Sequence, residues 1–595
     1  MPSAMSLLDR LTHIANDAPD QLAVYYSHRA VTFGRVAAGA NRCAAALAEA
    51  GVGCGDGVAI VANVSPELIA MLFAITHCGA FYVGVDPEWP HGRVEQILRE
   101  CGVRLVITDD PATGRLSGIP SMLAREVCSS DNGWRSTVVP PGAADRCQLV
   151  NVVYTSGSTG HAKGIRIPLE SVLHRISSTW STHQYHATDR ALVYRLPAMI
   201  GFSSECFGPL VSGVGVVVPS DAERRDPRAL AALCVRARVS HASLPRVVVR
   251  TLLELTDVSE QSWRDLRVAR TTGERLDWDT VRRWYDRFPS VPLINCYGAS
   301  ECGGAAAYDT SRASGHESEP VPAGRPAPGV RIFILDDRGQ AAAPEERGDV
   351  YVAGPNVALG YVDDRDQRPT FVDNPLAGGQ RMVRTGDIGY WTADGLLVIT
   401  GRADRQVKIR GYRVALEEVE QAIRTAAGVR DAAVVAYEHP PGNMNLVAYY
   451  VTSSRDLSHA DLHDLLSSYM MPSSLVRVDA MPLTDSGKVD RPALWTRWGS
   501  GTQATVQVDG DGQPNGTLAL VLASWCEVLG RMVDPDHDFV SVGGNSILAM
   551  QVSARLSDRL EQPVPVDWLL SAPSARSFAV QIDASLNGSR PTCLR

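Results

Sequence analysis

Residues 151–164 read NVVYTSGSTGHAKG: glycines at 157, 160 and 164 stand among the hydroxyls of Thr155, Ser156, Ser158 and Thr159, with Lys163 at the end. An apolar strand runs into this loop. Glycines let backbone amides approach an anion closely, and hydroxyls with a lysine complete a phosphate cradle. The GxxxxGK[ST] pattern of a Walker loop is absent, so the cradle is of another kind. Other residues could do chemistry but also have plain readings. Tyr297 and Glu301 fall in NCYGASE; Tyr297 could equally be a core tyrosine. Asp387, between Gly386 and Ile388, reads as well as a turn cap as a ligand. Lys488 in SGKVD is by itself a loop lysine, and Ser546 after two glycines and Asn545 could simply cap a helix.

The elements that must position these residues fall into three groups. VAIVANV, FYVGV, RLVITDD, GVGVVVPS and VPLINCYG alternate with amphipathic stretches such as SPELIAMLFAITHCG. That repetition predicts a large α/β core with mainly parallel sheets over 1–403. After the charged GRADRQVKIRG, the helix LEEVEQAIRTA and the strands DAAVVAYE and NLVAYYVT predict a small α+β lid over 404–498. Residues 499–516, GSGTQATVQVDGDGQPNG, have linker composition. Three stretches at helical spacing then predict an all-α bundle over 517–590.

With 595 residues the chain is long enough for several domains, and 57 Lys+Arg against 66 Asp+Glu gives a net charge of -9. No basic bias points to nucleic acid or an anionic membrane surface. No apolar run approaches the ~18 residues of a membrane span. The N-terminus lacks the apolar core of an export signal. The 12 Cys are scattered without metal-type pairs, so reduced thiols in a cytoplasmic protein are expected.

Taken in order over about 20–498, TSGSTGHAKG, NCYGASE, GDVYVAGPNVALGY, VRTGDIGYW, GRADRQVKIRGYRV and TDSGKVDR resemble the motifs of the adenylate-forming superfamily, specifically the adenylation domains of nonribosomal peptide synthetases. DFVSVGGNSILAMQ, 538–551, resembles the carrier-protein motif of the same enzymes. The resemblance implies ATP, Mg2+ and 4'-phosphopantetheine. Thr155, Ser156, Gly157, Ser158, Thr159, Gly160 and Lys163 would hold phosphate. Tyr297 would stack on adenine, Glu301 would bind Mg2+, and Asp387 with Arg402 would hold the ribose. Asp404 would be the hinge of the lid, Lys488 would bridge the substrate carboxylate and the α-phosphate, and Ser546 would carry phosphopantetheine. The implied partners are a carboxylic or amino acid, a phosphopantetheinyl transferase, a condensation domain or other acyl acceptor in trans and, as a candidate, an MbtH-like protein. The domain order suggests an initiation or free-standing loading module.

The sequence departs from the family pattern in places. Val383 replaces an aromatic, Ser486 replaces an Asn, and His161-Ala162 stands where X-Pro is usual. A larger departure lies in PAMIGFSSECFGPLVSG. Amino-acid-activating relatives place an Asp there for the α-ammonium, and alignment puts Ile200 at that position. The pocket positions carried over are Ile200, Gly201, Ser204, Ser243, Arg270, Thr272, Cys296, Gly304 and Ala305. An unpaired ammonium against Ile200 would cost several kcal/mol, unless Glu205 replaces the missing Asp. Arg270 offers a fork of donors for a second carboxylate, phosphinate or phosphonate, or else turns outward or pairs with Glu274. The expected substrate is an N-blocked or amine-free acid with a distal anion. The rivals are an ordinary α-amino acid loader, an acyl-CoA ligase, which needs no fused carrier, and a non-catalytic scaffold.

Overall fold

The computed structural model describes residues 6–86, 89–110, 118–129, 148–155, 162–255, 258–312, 320–363, 370–374, 381–409, 412–438, 444–484, 489–498, 516–529, 533–539, 544, 546–560, 562–572 and 574–586. Ser156, Gly157, Ser158, Thr159, Gly160, His161, Ser486, Lys488 and nearly all of 499–516 lie outside them.

Two large sheets form the core. In one of nine strands, Leu293–Ala299, Val268–Thr272, His241–Pro245, Arg190–Leu192, Gly215–Val218 and Leu22–Tyr26 run parallel in that order, with antiparallel strands at both edges. The other has seven strands, with Leu149–Thr155 parallel to Phe81–Gly84 and antiparallel to Lys163–Pro168. The helix Pro66–His77 buries every residue except Glu67. An all-round apolar helix must be enclosed, and it starts cleanly because Ser65 caps Leu68 and Pro66 opens the first turn.

The expectation of mainly parallel sheets needs one addition. A third, antiparallel sheet is built from Arg331–Leu335, Gly348–Ala353, Phe371–Asp373, Arg381–Trp391 and Leu397–Arg402. Its strands alternate buried and half-exposed positions, as one-faced antiparallel sheets do.

The lid has two parts, the hairpin Gln406–Ile409 and Tyr412–Ala415, and a three-stranded sheet of Val429–Glu438, Met444–Thr452 and Ser474–Arg477 covered by the helix Leu416–Thr425. Lid residues such as Ile409, Val419 and Leu446 share a core with Ala59, Val106 and Val152 of the seven-stranded sheet. Among the described residues, no helix is long and apolar enough to cross a membrane.

The C-terminal bundle contains four helices among the described residues, not the three expected: Thr517–Leu529, Ser546–Leu560, Val566–Ser571 and Ala575–Leu586. The added one has six residues, too short to show a 3.6-residue period. Trp525, fully buried, meets Phe539 at 4.8 Å and Phe578 at 6.4 Å between ring centroids. The helix Ser546–Leu560 rests on the core helices Asp221–Arg225, Pro227–Arg236 and Arg246–Glu254. Ala554 packs into the core cluster of Leu230, Val247 and Leu253. Arg228 and Asp558 form an ion pair at the edge of this contact. Both are about one-third exposed, so the pair is worth at most about 1 kcal/mol. If the core loads this bundle, as the sequence resemblance implies, Arg228→Asp is expected to slow that transfer by up to about five-fold, and Asp558→Arg in the same protein to restore it. Single-turnover loading followed by intact-protein mass reads both.

Candidate active site

A cavity of about 320 Å³ runs from the ends of the parallel strands to the lid hairpin. Its inner end is set by strand register. Ser243 pairs with Arg270, and Arg270 with Ile294; Thr272 pairs with Cys296. Neighbouring strands thus bring Ser243, Arg270, Thr272 and Cys296 to one place, at the carboxyl ends where α/β sheets bind ligands. Ile200, Gly201 and Ser204 come from the start of the helix Phe202–Leu210, and Gly304 from the adjoining antiparallel strand. Ala305 corrects the expected set. It is fully buried in the core cluster, whereas its neighbours Gly304 and Ala306 line the cavity.

Arg195 is one residue that sequence reasoning missed. Its guanidinium pairs with Glu205 and donates to the Ser243 hydroxyl at 3.1 Å, and its backbone N–H donates to the same carboxylate at 3.1 Å. Both partners are about one-tenth exposed. Glu205 is therefore committed to a protein cation and does not stand in for the missing Asp. Gly201 makes room for the pair, since a Cβ there would lie 2.6 Å from Arg195 Cδ. The only sequence signal was an arginine directly after the apolar run ALVY.

Arg175, 6% exposed, donates to the carbonyls of Ile200 at 3.0 Å and Ser171 at 3.3 Å. Burial pulls it down to about 10, so it stays charged at neutral pH. Arg270 Nη2 is buried with no hydrogen-bond partner among the described residues. The alternative partner, Glu274, lies 3.5 Å from Arg246 instead. Beside Arg270, burial first and the arginine's charge second hold His241 down to about 3 and His183 to about 4. Both imidazoles are neutral at pH 7, so neither adds charge nor quenches that of Arg270. Among the described lining residues Glu205 is the one acid, against Arg175, Arg195, Arg270, Arg402, Lys408 and Arg413.

The outer end gathers the expected nucleotide residues. Asp387, 4% exposed, accepts from the Tyr297 hydroxyl at 2.7 Å and from Arg402 Nη1 at 2.7 Å. Arg402 also holds Asp404 through bonds of 2.7 and 2.8 Å. Burial and the adjacent Asp387 push the Tyr297 phenol well above its ordinary value, so it remains a donor. Thr155 lines the cavity, and Lys163 Nζ sits 5.3 Å from the centre of the Tyr361 ring. Tyr361 in turn donates to Glu301 at 2.9 Å.

Glu301 is 2% exposed and receives Arg413 Nη1 on both oxygens, at 2.8 and 3.0 Å. Burial would raise its pKa, but Arg413 and the Tyr361 hydroxyl outweigh that and hold it below the ordinary carboxylate value. An ionised buried carboxylate is a fitting hard donor for Mg2+, with the remaining shell left to phosphate oxygens and water. Glu301, Asp387 and Tyr297 do not themselves line the cavity; Arg402 and Arg413, which hold the two carboxylates, do. Lys408 also lines it, its ammonium pulled below the ordinary value mainly by desolvation. Lys408 and Arg413 stand in the quoted GRADRQVKIRGYRV, but nothing in their spacing marked them. Lys488 lies outside the described residues; Ser546 opens its helix, and its side chain is likewise not described.

Residues 11–362 match the AMP-binding enzyme family, 418–488 the AMP-binding enzyme C-terminal domain, and 519–580 the phosphopantetheine attachment site. Tyrocidine synthase 3 of Brevibacillus parabrevis is 30% identical over 96% of this chain, and gramicidin S synthase 2 of Brevibacillus brevis is 28% identical over 98%. The chain spans only 9% and 13% of those proteins. Among solved structures, holo-PA1221, a nonribosomal peptide synthetase protein with adenylation and carrier domains bound to a vinylsulfonamide inhibitor, superimposes with a TM-score of 0.82. It is 26% identical and matches over 97% of this chain and 96% of its own. PA1221 in another structure gives 0.70 over 83% of this chain. With the core, the lid and the attachment site all matched in order, the chain belongs to the AMP-binding enzymes, the adenylate-forming ligases, and carries a phosphopantetheine attachment domain fused behind its lid.

Proposed function

We propose that this chain activates an N-blocked or amine-free acid with a distal anionic group and loads it onto its own carrier. A substrate carboxylate oxygen attacks the α-phosphorus of ATP, the bond to pyrophosphate breaks, and an acyl-adenylate forms. Positioned cations offset the charge that builds on the non-bridging oxygens. Lys488 is the cation assigned to the substrate carboxylate and α-phosphate, Glu301 to Mg2+, Asp387 and Arg402 to the ribose, Tyr297 to adenine, and the 155–163 loop to phosphate. The thiol of a phosphopantetheine on Ser546 then takes the acyl group and AMP leaves. The divisions proposed are core to 403, hinge at Asp404, lid to 498, linker to 516 and carrier from 517. The loaded carrier serves as an initiation or free-standing module, passing its acyl group to a condensation domain or similar acceptor in trans. This places the work in the cytoplasm, where ATP and reduced thiols are plentiful, with an MbtH-like protein as a candidate partner.

The observation that carries the substrate reading is the unpartnered Arg270 Nη2, buried in a cavity whose one described acid is already paired with Arg195. ATP–pyrophosphate exchange across free α-amino, N-acylated and dicarboxylic acids tests it, with intact mass of the phosphopantetheinylated chain and of Ser546→Ala. Exchange with an N-acylated or amine-free diacid and an acyl mass gain that requires Ser546 are expected. Release of free acyl-CoA without mass gain would make the protein a coenzyme A ligase instead.

A further inference from the structure

Glu301 and Arg413 are 112 residues apart in sequence, one in the core and one on the lid hairpin. A carboxylate this buried needs a counter-charge at every stage of a reaction cycle, because an uncompensated buried ion is costly. Here Arg413 supplies it through Nη1, shared between both oxygens, and Tyr361 takes a further lone pair on Oε1. A metal ion that used Glu301 would need the same oxygens. A metal on the face of the carboxylate that Arg413 Nη1 spans would have to displace that guanidinium.

Arg413 is also tied to the hinge. Its Nε donates to Gln406 Oε1, which accepts from Arg402 Nη2 at 3.0 Å, and Arg402 holds both Asp387 and Asp404. Setting Arg413 on Glu301 therefore sets the whole hairpin, including Lys408, against the cavity. We propose that Arg413 is a positioning residue that takes Glu301 over from Mg2+ once pyrophosphate has left, so that metal occupancy and this lid arrangement exclude one another. Exclusion of this kind is reciprocal: whatever stabilises one state weakens the other by the same free energy. The hairpin is kept out while metal and pyrophosphate remain, and the carrier step follows their departure. This goes beyond the substrate reading and holds whichever acid the cavity accepts.

The test uses the full chain with a donor and an acceptor dye placed genetically at the exposed residues Gln340 in the core and Arg430 in the lid. Energy transfer is followed on adding ATP with Mg2+, and ATP with EDTA, without acid. In the wild type only ATP with Mg2+ should shift the distribution. In Arg413→Met the metal-free protein should already be shifted and respond little. The Mg2+ concentration giving half-maximal pyrophosphate exchange should fall about five-fold or more. Arg413→Lys should restore part of both effects, and it carries the comparison alone if Arg413→Met fails to fold. An unchanged Mg2+ midpoint with a wild-type response would overturn the proposal. So would a raised midpoint, which would make the guanidinium an aid to the metal. Neither outcome bears on the substrate, which is read from the acid panel.

Discussion

Arg270→Ala is expected to raise KM for an N-blocked or amine-free acid with a distal anion by about 30-fold or more. Losing one partner of a buried, hydrogen-bonded charge pair costs about 2–5 kcal/mol, and each 1.4 kcal/mol is tenfold. Small neutral acids should lose little, because they make no use of the Arg270 guanidinium in the wild type. The melting temperature should not fall, since the substitution removes a buried nitrogen that has no partner among the described residues. Ile200→Asp should act on the other departure and improve exchange with free α-amino acids. The measurement is steady-state pyrophosphate exchange with matched pairs of acids. A wild-type preference for an ordinary neutral α-amino acid would end the substrate reading while leaving the family assignment intact.

Glu205→Gln should be the most destabilising single change in the cavity wall. It leaves Arg195 buried, facing Ser243, with its carboxylate gone and Arg175 and Arg270 lining the same cavity. Breaking a buried pair costs about 3–5 kcal/mol, which for a core of about 400 residues corresponds to a fall in Tm of about 5 °C. Replacing both partners with leucine should recover much of that loss, because a well-packed apolar pair removes two desolvated charges together. Thermal melts of the three proteins decide it. If Glu205→Gln melts with the wild type, the pair does not hold this wall.

The parallel strands were legible because buried strands read as continuous apolar runs, and VAIVANV and VPLINCYG both became strands of the large sheets. The lid elements followed from the same local patterns. The antiparallel sheet over 331–402 was not separated out: its motifs were quoted, but its pairing depends on partners far apart in sequence. The short helix Val566–Ser571 fell below the length at which periodicity can be read. At the site, motifs located Tyr297, Glu301, Asp387 and Arg402, and register then brought Ser243, Arg270, Thr272 and Cys296 together. What motifs could not give was pairing. Glu205 was left open as a substitute for the missing Asp until Arg195 was seen beside it, and Glu274, the alternative partner for Arg270, lies against Arg246. Ala305 was assigned to the pocket by position alone, and its side chain packs into the core instead.

Among the described residues the bundle meets the core mainly through one helix, Ser546–Leu560, with Ala554 packed against the core helices and the Arg228–Asp558 pair, about one-third exposed, at the edge. That contact need not be tight. A domain joined to its target by a short tether experiences an effective concentration on the order of millimolar. A carrier supplied by another chain would have to reach that level to compete for the same helices. Under the proposed function, covalent linkage rather than a tight interface is what keeps the core loading its own carrier.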